Sequence, residues 1–239
     1  MCSIRHRIGQ AAFKSGRSAD SVRMIAVSKY YAVPTLQNND GVVDEMIALG
    51  CTELGEARPQ HLIEKAAYYD AVFQQNNADN PIRWHLIGTL QRNKVRKVLP
   101  AVTLIHSLDS LRLADAIERI AEDEQLTPVH CLLEVAISPD VSKQGVQPGD
   151  VLEVLDKLGL YKNIVVSGLM GMSGLESDEI QVRREYELLR LTAERVRLRG
   201  LPPNVPLRDL SMGMSDDFEI AIEEGATIVR IGSALGRGL

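Results

Sequence analysis

Eight short runs rich in β-strand-forming residues follow one another along the chain. The runs are RMIAVSK (23–29), CTELGE (51–56), RWHLIG (83–88), TLIHSL (103–108), HCLLEVAI (130–137), NIVVSGLM (163–170), LRDLSMG (207–213) and TIVRIGS (227–233). Between most runs, apolar residues recur three and four positions apart, as on one face of a helix. Examples are Leu111, Ala114, Ile117 and Ile120, and also Leu188, Leu191, Val196 and Leu198. This alternation predicts a parallel sheet covered by helices.

Eight strand–helix units in 239 residues favour a single (β/α)8 TIM-like barrel, although an open doubly wound sheet also alternates in this way. The first strand is not followed by G-x-G-x-x-G, the pattern typical of dinucleotide-binding open sheets. No repeat or linker divides the chain, so we predict one domain over residues 1–239. We also predict an exposed loop at FQQNNADNP (73–81) and an N-terminal helix with one apolar face, formed by Ile4, Ile8, Ala11 and Ala12.

Charge and cysteine content argue against several classes of protein. The formal net charge is −5, whereas general nucleic-acid binding needs a basic surface. Cys2, Cys51 and Cys131 are odd in number and lack a C-x-x-C pair, so neither a disulfide framework nor a zinc site is indicated. The N-terminus lacks a signal-peptide core, and no run is long and apolar enough to span a membrane. We therefore expect a cytoplasmic protein with reduced thiols and no contact with membranes or nucleic acid.

Several candidate residues lie where the predicted strands end, which is the functional face of a barrel. They are Lys29, Glu56, Gly88, Met170, Ser211 and Ser233. Lys29 is either an ordinary lysine with its ammonium in water or a partly desolvated amine that attacks an aldehyde. The local sequence is compatible with both interpretations.

Two turns rich in glycine and serine follow the seventh and eighth strands. The first contains Ser211, Gly213 and Ser215, and the second contains Gly232 and Ser233. In a closed barrel these turns are neighbours, and their backbone N–H groups suit a phosphate. Alternatively, the turns only connect strands to helices and bind no ligand, and Ser215 also fits an ordinary helix N-cap. Asp216 and Asp217 are expected to point outward and to complement the dipole of the following helix.

Arg230 alternates with Val229 and Ile231, so its side chain points either into the barrel or towards the helices. It either forms a salt bridge to a helix or provides a fixed positive donor that disfavours protonation of the nitrogen in a bound ring. An imine-forming lysine, a phosphate cradle and an arginine together describe a pocket for a phosphorylated aldehyde. Pyridoxal 5'-phosphate (PLP) is the obvious candidate for this ligand.

Six stretches, taken in order, resemble the pyridoxal phosphate homeostasis proteins, which are single-barrel relatives of the N-terminal domain of bacterial alanine racemase. The stretches are AVSK ending at Lys29, LGEARPQ (54–60), WHLIGTLQRNKVR (84–96), SKQG (142–145), GLMGM (168–172) and SMGMSDDFEIAIEEGATIVRIGSALG (211–236). Two positions depart from the family pattern, which has asparagine where this chain has Ala57 and Ala136. Two side-chain amides expected at the rim of the pocket are therefore missing.

The resemblance implies that Lys29 holds PLP as a Schiff base and that Arg230 faces the ring nitrogen. It also implies that the phosphate is surrounded by Ser211, Gly213, Ser215, Gly232 and Ser233. We add His85 and Met212 as further candidate cofactor-binding residues. His6, His61, His106 and His130 share no ligand spacing, so no metal site is predicted. Glu56 and Glu134 receive no catalytic role, and QRNKVRK (91–97) is interpreted as a solvated helix start.

We predict a binding protein that stores, buffers or delivers PLP, with PLP-dependent apo-enzymes as recipients and without substantial catalysis. An arginine at the ring nitrogen weakens the ring as an electron sink, which suits storage better than carbanion chemistry. One alternative is an amino-acid racemase of low activity, since the second acid–base residue of the related enzymes comes from a C-terminal domain that this sequence lacks. The other alternative is a Schiff-base barrel aldolase acting on a sugar phosphate. A monomer is expected, because that C-terminal domain builds the racemase dimer.

Overall fold

The computed structural model describes residues 2–34, 41–126, 128–138, 144–174 and 176–236. Eight parallel strands close into a barrel in chain order. The strands are β1 (Arg23–Val27), β2 (Glu53–Glu56), β3 (Arg83–Leu86), β4 (Leu104–Leu108), β5 (Val129–Glu134), β6 (Ile164–Met170), β7 (Asp209–Ser211) and β8 (Ile228–Ile231). Each strand overlaps one predicted run. Because β1 pairs with β8, the sheet has no open edge, and the prediction of a (β/α)8 barrel is confirmed.

Helices follow the strands and cover the outside of the barrel. They are α1 (Cys2–Lys14), α2 (Val42–Ala48), α3 (Pro59–Gln75), α4 (Val95–Val98), α5 (Leu111–Asp123), α6 (Val151–Leu158), α7 (Glu179–Arg197), α8 (Phe218–Glu223) and α9 (Ser233–Gly236). The predicted N-terminal helix is α1, and its four predicted apolar residues are buried. It packs on α8, where Arg7 donates two hydrogen bonds of 2.7 Å to the Glu219 carboxylate.

Two predictions about the helices are wrong. Leu188, Leu191 and Leu198 are exposed, although they were assigned to an apolar face together with Val196. The buried face of α7 repeats at intervals of four and three, and it comprises Val182, Tyr186, Leu189, Ala193 and Val196. The predicted loop 73–81 is also too long, because α3 continues to Gln75 before an exposed segment begins at residue 76.

Two groups of apolar side chains stabilise the barrel. The larger group fills the space between strands and helices. The smaller group lies inside the barrel and consists of Ile25, Leu104, Leu132, Met170 and Ile228. Complete burial of one such side chain contributes about 1.5–3 kcal/mol. The remaining interior contains His85, His106, Ser211 and Arg230, and these polar groups connect the core to the site.

The structure also bears on the expectations about membrane helices, metal sites, thiols and the basic stretch 91–97. Within the described residues, no helix has both the length and the apolar character needed to cross a membrane. The same residues contain no cluster of three His, Cys, Asp or Glu side chains that could hold a metal. The thiols of Cys51 and Cys131 are buried. The basic stretch 91–97 forms an exposed 3-10 turn leading into α4, as expected for a solvated helix start.

Candidate cofactor-binding site

A cavity of about 290 Å³ opens at the carboxyl ends of the strands. Its walls come from residues at the ends of β1, β2, β3, β6, β7 and β8 or in the loops that follow them. Five of the predicted site residues line it, namely Lys29, Ser215, Arg230, Gly232 and Ser233. One cavity therefore contains the lysine, the arginine and parts of both glycine- and serine-rich turns.

Lys29 lies two residues beyond β1 and is half-buried in the cavity wall. Its Nζ is 5.0 Å from the centroid of the Tyr30 ring, a distance at which an aromatic face attracts a cation. The carbonyl oxygen of Lys29 accepts a hydrogen bond of 2.7 Å from Arg58 Nη2. The preceding N–H, that of Ser28, donates to the carbonyl of Gly55 at 2.8 Å. The backbone that carries the amine is thus anchored to β2.

A fully buried ion pair lies beneath this loop. Lys65 Nζ is 2.7 Å from Glu56 Oε2 and also donates to the carbonyl of Ser28 at 2.8 Å. The other oxygen of Glu56 accepts the next two backbone N–H groups at 2.8 and 3.1 Å. Buried ion pairs persist only when their remaining hydrogen-bonding groups are satisfied in this way. Glu56 therefore orders the loops after β1 and β2, and its buried partner is Lys65.

Ser215 connects the two glycine- and serine-rich turns. Its hydroxyl oxygen accepts hydrogen bonds from the backbone N–H of Gly232 at 3.1 Å and of Ala234 at 3.2 Å. The turns are therefore neighbours, as closure of the barrel requires. The interpretation of Ser215 as the N-cap of the following helix is wrong, because the residue at that position of α8 is Asp217.

Asp217 points inward, so the expectation that it points outward is also wrong. Its Oδ1 accepts the N–H of Met214 at 2.6 Å, and its Oδ2 accepts the hydroxyls of Ser173 at 2.6 Å and Tyr186 at 2.7 Å. The carboxylate satisfies the backbone of its own turn and attaches that turn to α7. Asp216 is exposed and lines the cavity.

Arg230 extends into the barrel interior and reaches the cavity from below. Its Nη1 donates to the carbonyl of Ser211 at 2.8 Å and to the Ser211 hydroxyl at 2.6 Å, while Nη2 donates to the carbonyl of Gly171 at 3.1 Å. Burial lowers the pKa of Arg230, and the nearby Tyr186, Asp217 and Glu134 oppose this effect. A guanidinium nevertheless stays protonated in proteins. Arg230 is therefore a fixed cation at the base of the cavity.

Glu134 ends β5 close to this cation. Burial raises the pKa of its carboxyl to about 7, the charge of Asp109 acts in the same direction, and Arg230 opposes both. Near neutral pH this carboxyl is therefore partly protonated. Such a shift is a frequent property of functional sites, although Glu134 does not line the cavity itself.

Four predicted site residues do not line the cavity. Ser211 lies beneath it, because its hydroxyl is engaged by Arg230 and His106. Met212 is buried in the outer core. Gly213 has a φ of 95°, and a Cβ there would lie 2.6 Å from that of Ala221, so this glycine shapes the turn. His85 is a hydrogen-bonded interior residue well below the cavity.

Other residues line the cavity without having been singled out from the sequence. Tyr30, Val27, Ile87, Met172 and Met214 contribute walls. Adjacency to Lys29 is the signal that could have revealed Tyr30. Ile87 has no distinguishing signal, because one more apolar residue at a strand end resembles any core position.

The two missing asparagines have unequal consequences. Ala57 lines the cavity, whereas Ala136 does not, and its N–H pairs with the carbonyl of Val146 at 3.0 Å. A Cβ on Gly88 would lie 2.1 Å from the Ala57 carbonyl oxygen, so the backbone at Ala57 is held closely against the next strand. In the resembling stretch SKQG, residues 142 and 143 lie outside the described residues.

Comparisons with known proteins agree with this geometry. A sequence model of the alanine racemase N-terminal domain matches residues 3–236. A pyridoxal phosphate homeostasis protein from Aquifex aeolicus is 36% identical, over 97% of this chain and 93% of the relative. A crystal structure of an unknown protein from Bifidobacterium adolescentis is 37% identical, with a TM-score of 0.86 over 98% of this chain and 91% of the other. The structure of PipY from Synechococcus elongatus PCC7942 with PLP bound is 31% identical, with a TM-score of 0.78 over 95% of this chain and 99% of the other. The chain belongs to the pyridoxal phosphate homeostasis protein family, within the wider family defined by the alanine racemase N-terminal domain.

Proposed function

We propose that this protein binds pyridoxal 5'-phosphate through Lys29 and stores, buffers or delivers it, acting as one cofactor-binding domain over residues 1–239. The observation that carries this proposal is the shared cavity of the Lys29 amine, the Arg230 guanidinium and the turn at Gly232 and Ser233. The likeness to PipY, whose structure has PLP bound, supports it.

The residues at the cavity fit this cofactor in size and charge. A volume of about 290 Å³ lies near the lower end of small-molecule pockets, which span roughly 300–1,000 Å³, and therefore suits a ligand with a single ring. Lys29 can condense with an aldehyde, and Ser215, Gly232 and Ser233 can donate to a phosphate. Arg230 would face the ring nitrogen.

Ser215 has a specific part in holding the phosphate. Its oxygen already accepts two backbone N–H groups, which leaves its own hydrogen available for donation. Donors that polarise a hydroxyl oxygen make its O–H a stronger hydrogen-bond donor. We therefore expect Ser215 to direct a polarised O–H at a phosphate oxygen.

Lys29 would attach the cofactor reversibly. When bound, PLP supplies an aldehyde carbon. The unprotonated Nζ of Lys29 adds to that carbon, a C=N bond forms, and the aldehyde oxygen leaves as water. Addition of water, or of an amine from a recipient protein, breaks the C=N bond and returns Lys29 as an amine. This reversibility is what storage and delivery require.

Arg230 argues against substantial catalysis. Because a guanidinium cannot give up its proton near neutral pH, it disfavours protonation of a ring nitrogen beside it. The ring is then a weak electron sink, and abstraction of a proton from a bound amino acid is slow. We therefore propose a carrier rather than a racemase.

Absorption spectroscopy with added PLP tests the proposal. Wild type and Lys157→Ala, which removes an exposed lysine of α6, should both develop a new absorption band at a longer wavelength than that of free PLP. Lys29→Ala should not develop this band. The proposal is wrong if Lys29→Ala and wild type give the same spectrum.

Turnover assays separate the carrier from the two enzyme alternatives. Robust amino-acid racemisation that Lys29→Ala abolishes would replace the carrier with a racemase. A colourless wild type that cleaves a phosphorylated sugar would point to the aldolase. We expect neither activity above trace levels.

Delivery, oligomeric state and location are further parts of the proposal. We propose that PLP-dependent apo-enzymes are the recipients, and loaded protein should activate such an apo-enzyme faster than an equal concentration of free PLP.

We propose a monomer, which light scattering after size exclusion would test. The buried thiols of Cys51 and Cys131 support a cytoplasmic location, and fractionation of cells would test it.

A further inference from the structure

A continuous chain of four hydrogen bonds runs through the barrel interior, from Arg230 to Glu53. Arg230 Nη1 lies 2.6 Å from Ser211 Oγ, which lies 2.9 Å from His106 Nδ1. His106 Nε2 lies 3.0 Å from His85 Nδ1, and His85 Nε2 lies 2.5 Å from Glu53 Oε2. We call these five residues the interior chain.

The interior chain crosses the barrel instead of following its wall. His106 belongs to β4 and Ser211 to β7, and these strands are not neighbours in the closed order. Their hydrogen bond therefore spans the interior. Glu53 is the first residue of β2, at the amino end of the barrel, whereas Arg230 lines the cavity at the carboxyl end. The interior chain thus connects the two ends of the barrel.

When both histidines are neutral, the two ends of the interior chain determine the direction of every hydrogen bond in it. A guanidinium only donates, so Ser211 Oγ accepts from Arg230 and has its own hydrogen left for His106 Nδ1. At the other end an ionised carboxylate only accepts, so His85 Nε2 donates to Glu53. Burial favours the neutral form of both rings. The bond between two neutral rings then runs from His106 Nε2–H to His85 Nδ1, so each histidine carries its hydrogen on Nε2.

The electrostatics agree with this assignment. Burial lowers the pKa of His106 well below its ordinary value, and the positive charges of Arg230 and Arg23 act in the same direction. Burial also lowers the pKa of His85, although Glu53 opposes the shift. For Glu53, burial opposes ionisation, but the hydrogen bond from His85 and the neighbouring positive charges lower its pKa. The charged or titratable groups that face the ends of the chain are Arg23 and Arg83 near Glu53, and Glu134, Asp217 and Tyr186 near Arg230.

Stability alone does not account for the interior chain. The surrounding interior is apolar, and replacing a buried polar network with apolar side chains of similar volume is often neutral or stabilising. What the interior chain does provide is control of Ser211. Because His106 takes the hydroxyl hydrogen, the lone pairs of Ser211 Oγ must face Arg230. The tautomer of His106 depends in turn on His85, and the tautomer of His85 depends on Glu53.

We propose that Glu53, His85 and His106 are positioning residues for Arg230: they fix the histidine tautomers, hold Ser211 Oγ as an acceptor and so keep the guanidinium in one orientation at the cavity. The inference rests on the proposed function, because the group that Arg230 would face is the ring nitrogen of bound PLP. Glu53 thereby influences the cofactor from the opposite end of the barrel, without touching it.

The first test uses the ligand-free protein and so does not depend on the cofactor. Nitrogen-15 NMR of histidine-labelled wild type should show His85 and His106 neutral and protonated on Nε2 between about pH 5 and 8. In Glu53→Gln the side-chain amide can donate as well as accept, so the Nδ1-protonated form of His85 should appear. A charged ring, or Nδ1–H on either histidine in wild type, would overturn the proposal.

The second test uses PLP-loaded protein. His106→Leu breaks the interior chain at similar volume, whereas His106→Gln keeps one donor and one acceptor, and His130→Gln removes an exposed histidine as a control. The absorption of bound PLP is followed against pH, and the midpoint of the change reports protonation of its ring nitrogen. In His106→Leu this midpoint should rise by about half a pH unit or more, because a loosened guanidinium opposes ring protonation less effectively. His106→Gln should restore part of this shift, and His130→Gln should match wild type.

The outcomes distinguish the two proposals. If wild type takes up PLP but His106→Leu keeps the wild-type midpoint, the positioning role is wrong and the proposed function stands. If wild type forms no PLP adduct, the proposed function is wrong and the role towards the cofactor fails with it, while the NMR result still decides whether the interior chain has the assigned direction.

Discussion

The hydroxyl oxygen of Ser215 lies 3.1 Å from the backbone nitrogen of Gly232 and accepts its hydrogen. This contact joins the loop after β7 to the loop after β8, and the N–H of Ala234 donates to the same oxygen at 3.2 Å. The two turns therefore form one unit before any ligand binds. A preformed site loses less conformational entropy on binding than a site that must be ordered.

Ser215→Ala should weaken both the fold and the site. One buried and one partly buried N–H group lose their acceptor, so we expect a loss of about 1–2 kcal/mol in the free energy of unfolding. Loss of a phosphate donor should also raise the dissociation constant for PLP by about 3–10-fold. Urea denaturation and fluorescence titration measure the two effects. Ser3→Ala on the exposed side of α1 is the control, and unchanged affinity in Ser215→Ala would contradict the assignment.

Lys65→Met should strongly destabilise the protein, because it leaves the Glu56 carboxylate buried without its 2.7 Å partner. Breaking a buried pair costs about 3–5 kcal/mol. Glu56→Gln combined with Lys65→Met should recover part of the loss, since the amide oxygen can still accept the two loop N–H groups. Chemical denaturation of wild type and the two variants checks this. A double variant no more stable than Lys65→Met would mean that the charge of Glu56 is not what destabilises the single variant.

Glu134 should make stability depend on pH around neutrality. Its pKa is about 7 in the folded protein against an ordinary value of 4.5, so between these values the folded state holds a proton that the unfolded state has lost. The stability from this group is fully present below about pH 4.5 and is lost as the pH rises through about 7.

Glu134→Gln should abolish the decrease in the free energy of unfolding that ionisation of Glu134 causes at high pH. The variant should be more stable than wild type by up to about 3 kcal/mol at about pH 8, with a much smaller difference at about pH 5. Urea denaturation at the two pH values measures this, and Glu122→Gln on the exposed face of α5 is the control. An equal difference at both pH values would exclude a raised pKa as the cause.

Restoring the family's asparagines should have unequal effects. Ala57 lines the cavity, so Ala57→Asn should add a hydrogen bond to the ligand and tighten PLP binding by about 2–10-fold. Ala136 does not line the cavity, so Ala136→Asn should change affinity less. Equilibrium titration of both variants makes the comparison, and a larger gain at position 136 would contradict the placement of these residues.

The fold could be predicted from the sequence because its signals are local. Most strands of the barrel are short runs of apolar and β-branched residues, and this pattern locates them in the sequence. The face of α7 could not be predicted equally well. Leu188 and Leu191 are as apolar as the buried Leu189, and only packing against the barrel decides which of them is covered.

The candidate site was predictable where its residues follow strand ends and not where side chains meet across the barrel interior. Lys29 and the two turns follow strand ends, so the fold alone places them together. By contrast, His106 and Ser211 are separated by 105 positions, and no spacing rule connects them. Asp217 was misplaced for a related reason, because its partners Ser173 and Tyr186 lie in a loop and a helix that pack against its turn only in the folded protein.

Trapping the cofactor on its lysine tests the central claim most directly. PLP-loaded wild type is reduced with borohydride, digested, and analysed by mass spectrometry, with Lys157→Ala and Lys29→Ala treated in parallel. We predict one dominant pyridoxyl adduct on Lys29 in wild type and Lys157→Ala, and its loss in Lys29→Ala. A wild type without an adduct on Lys29, or a Lys29→Ala protein with undiminished labelling at another lysine, would contradict the account.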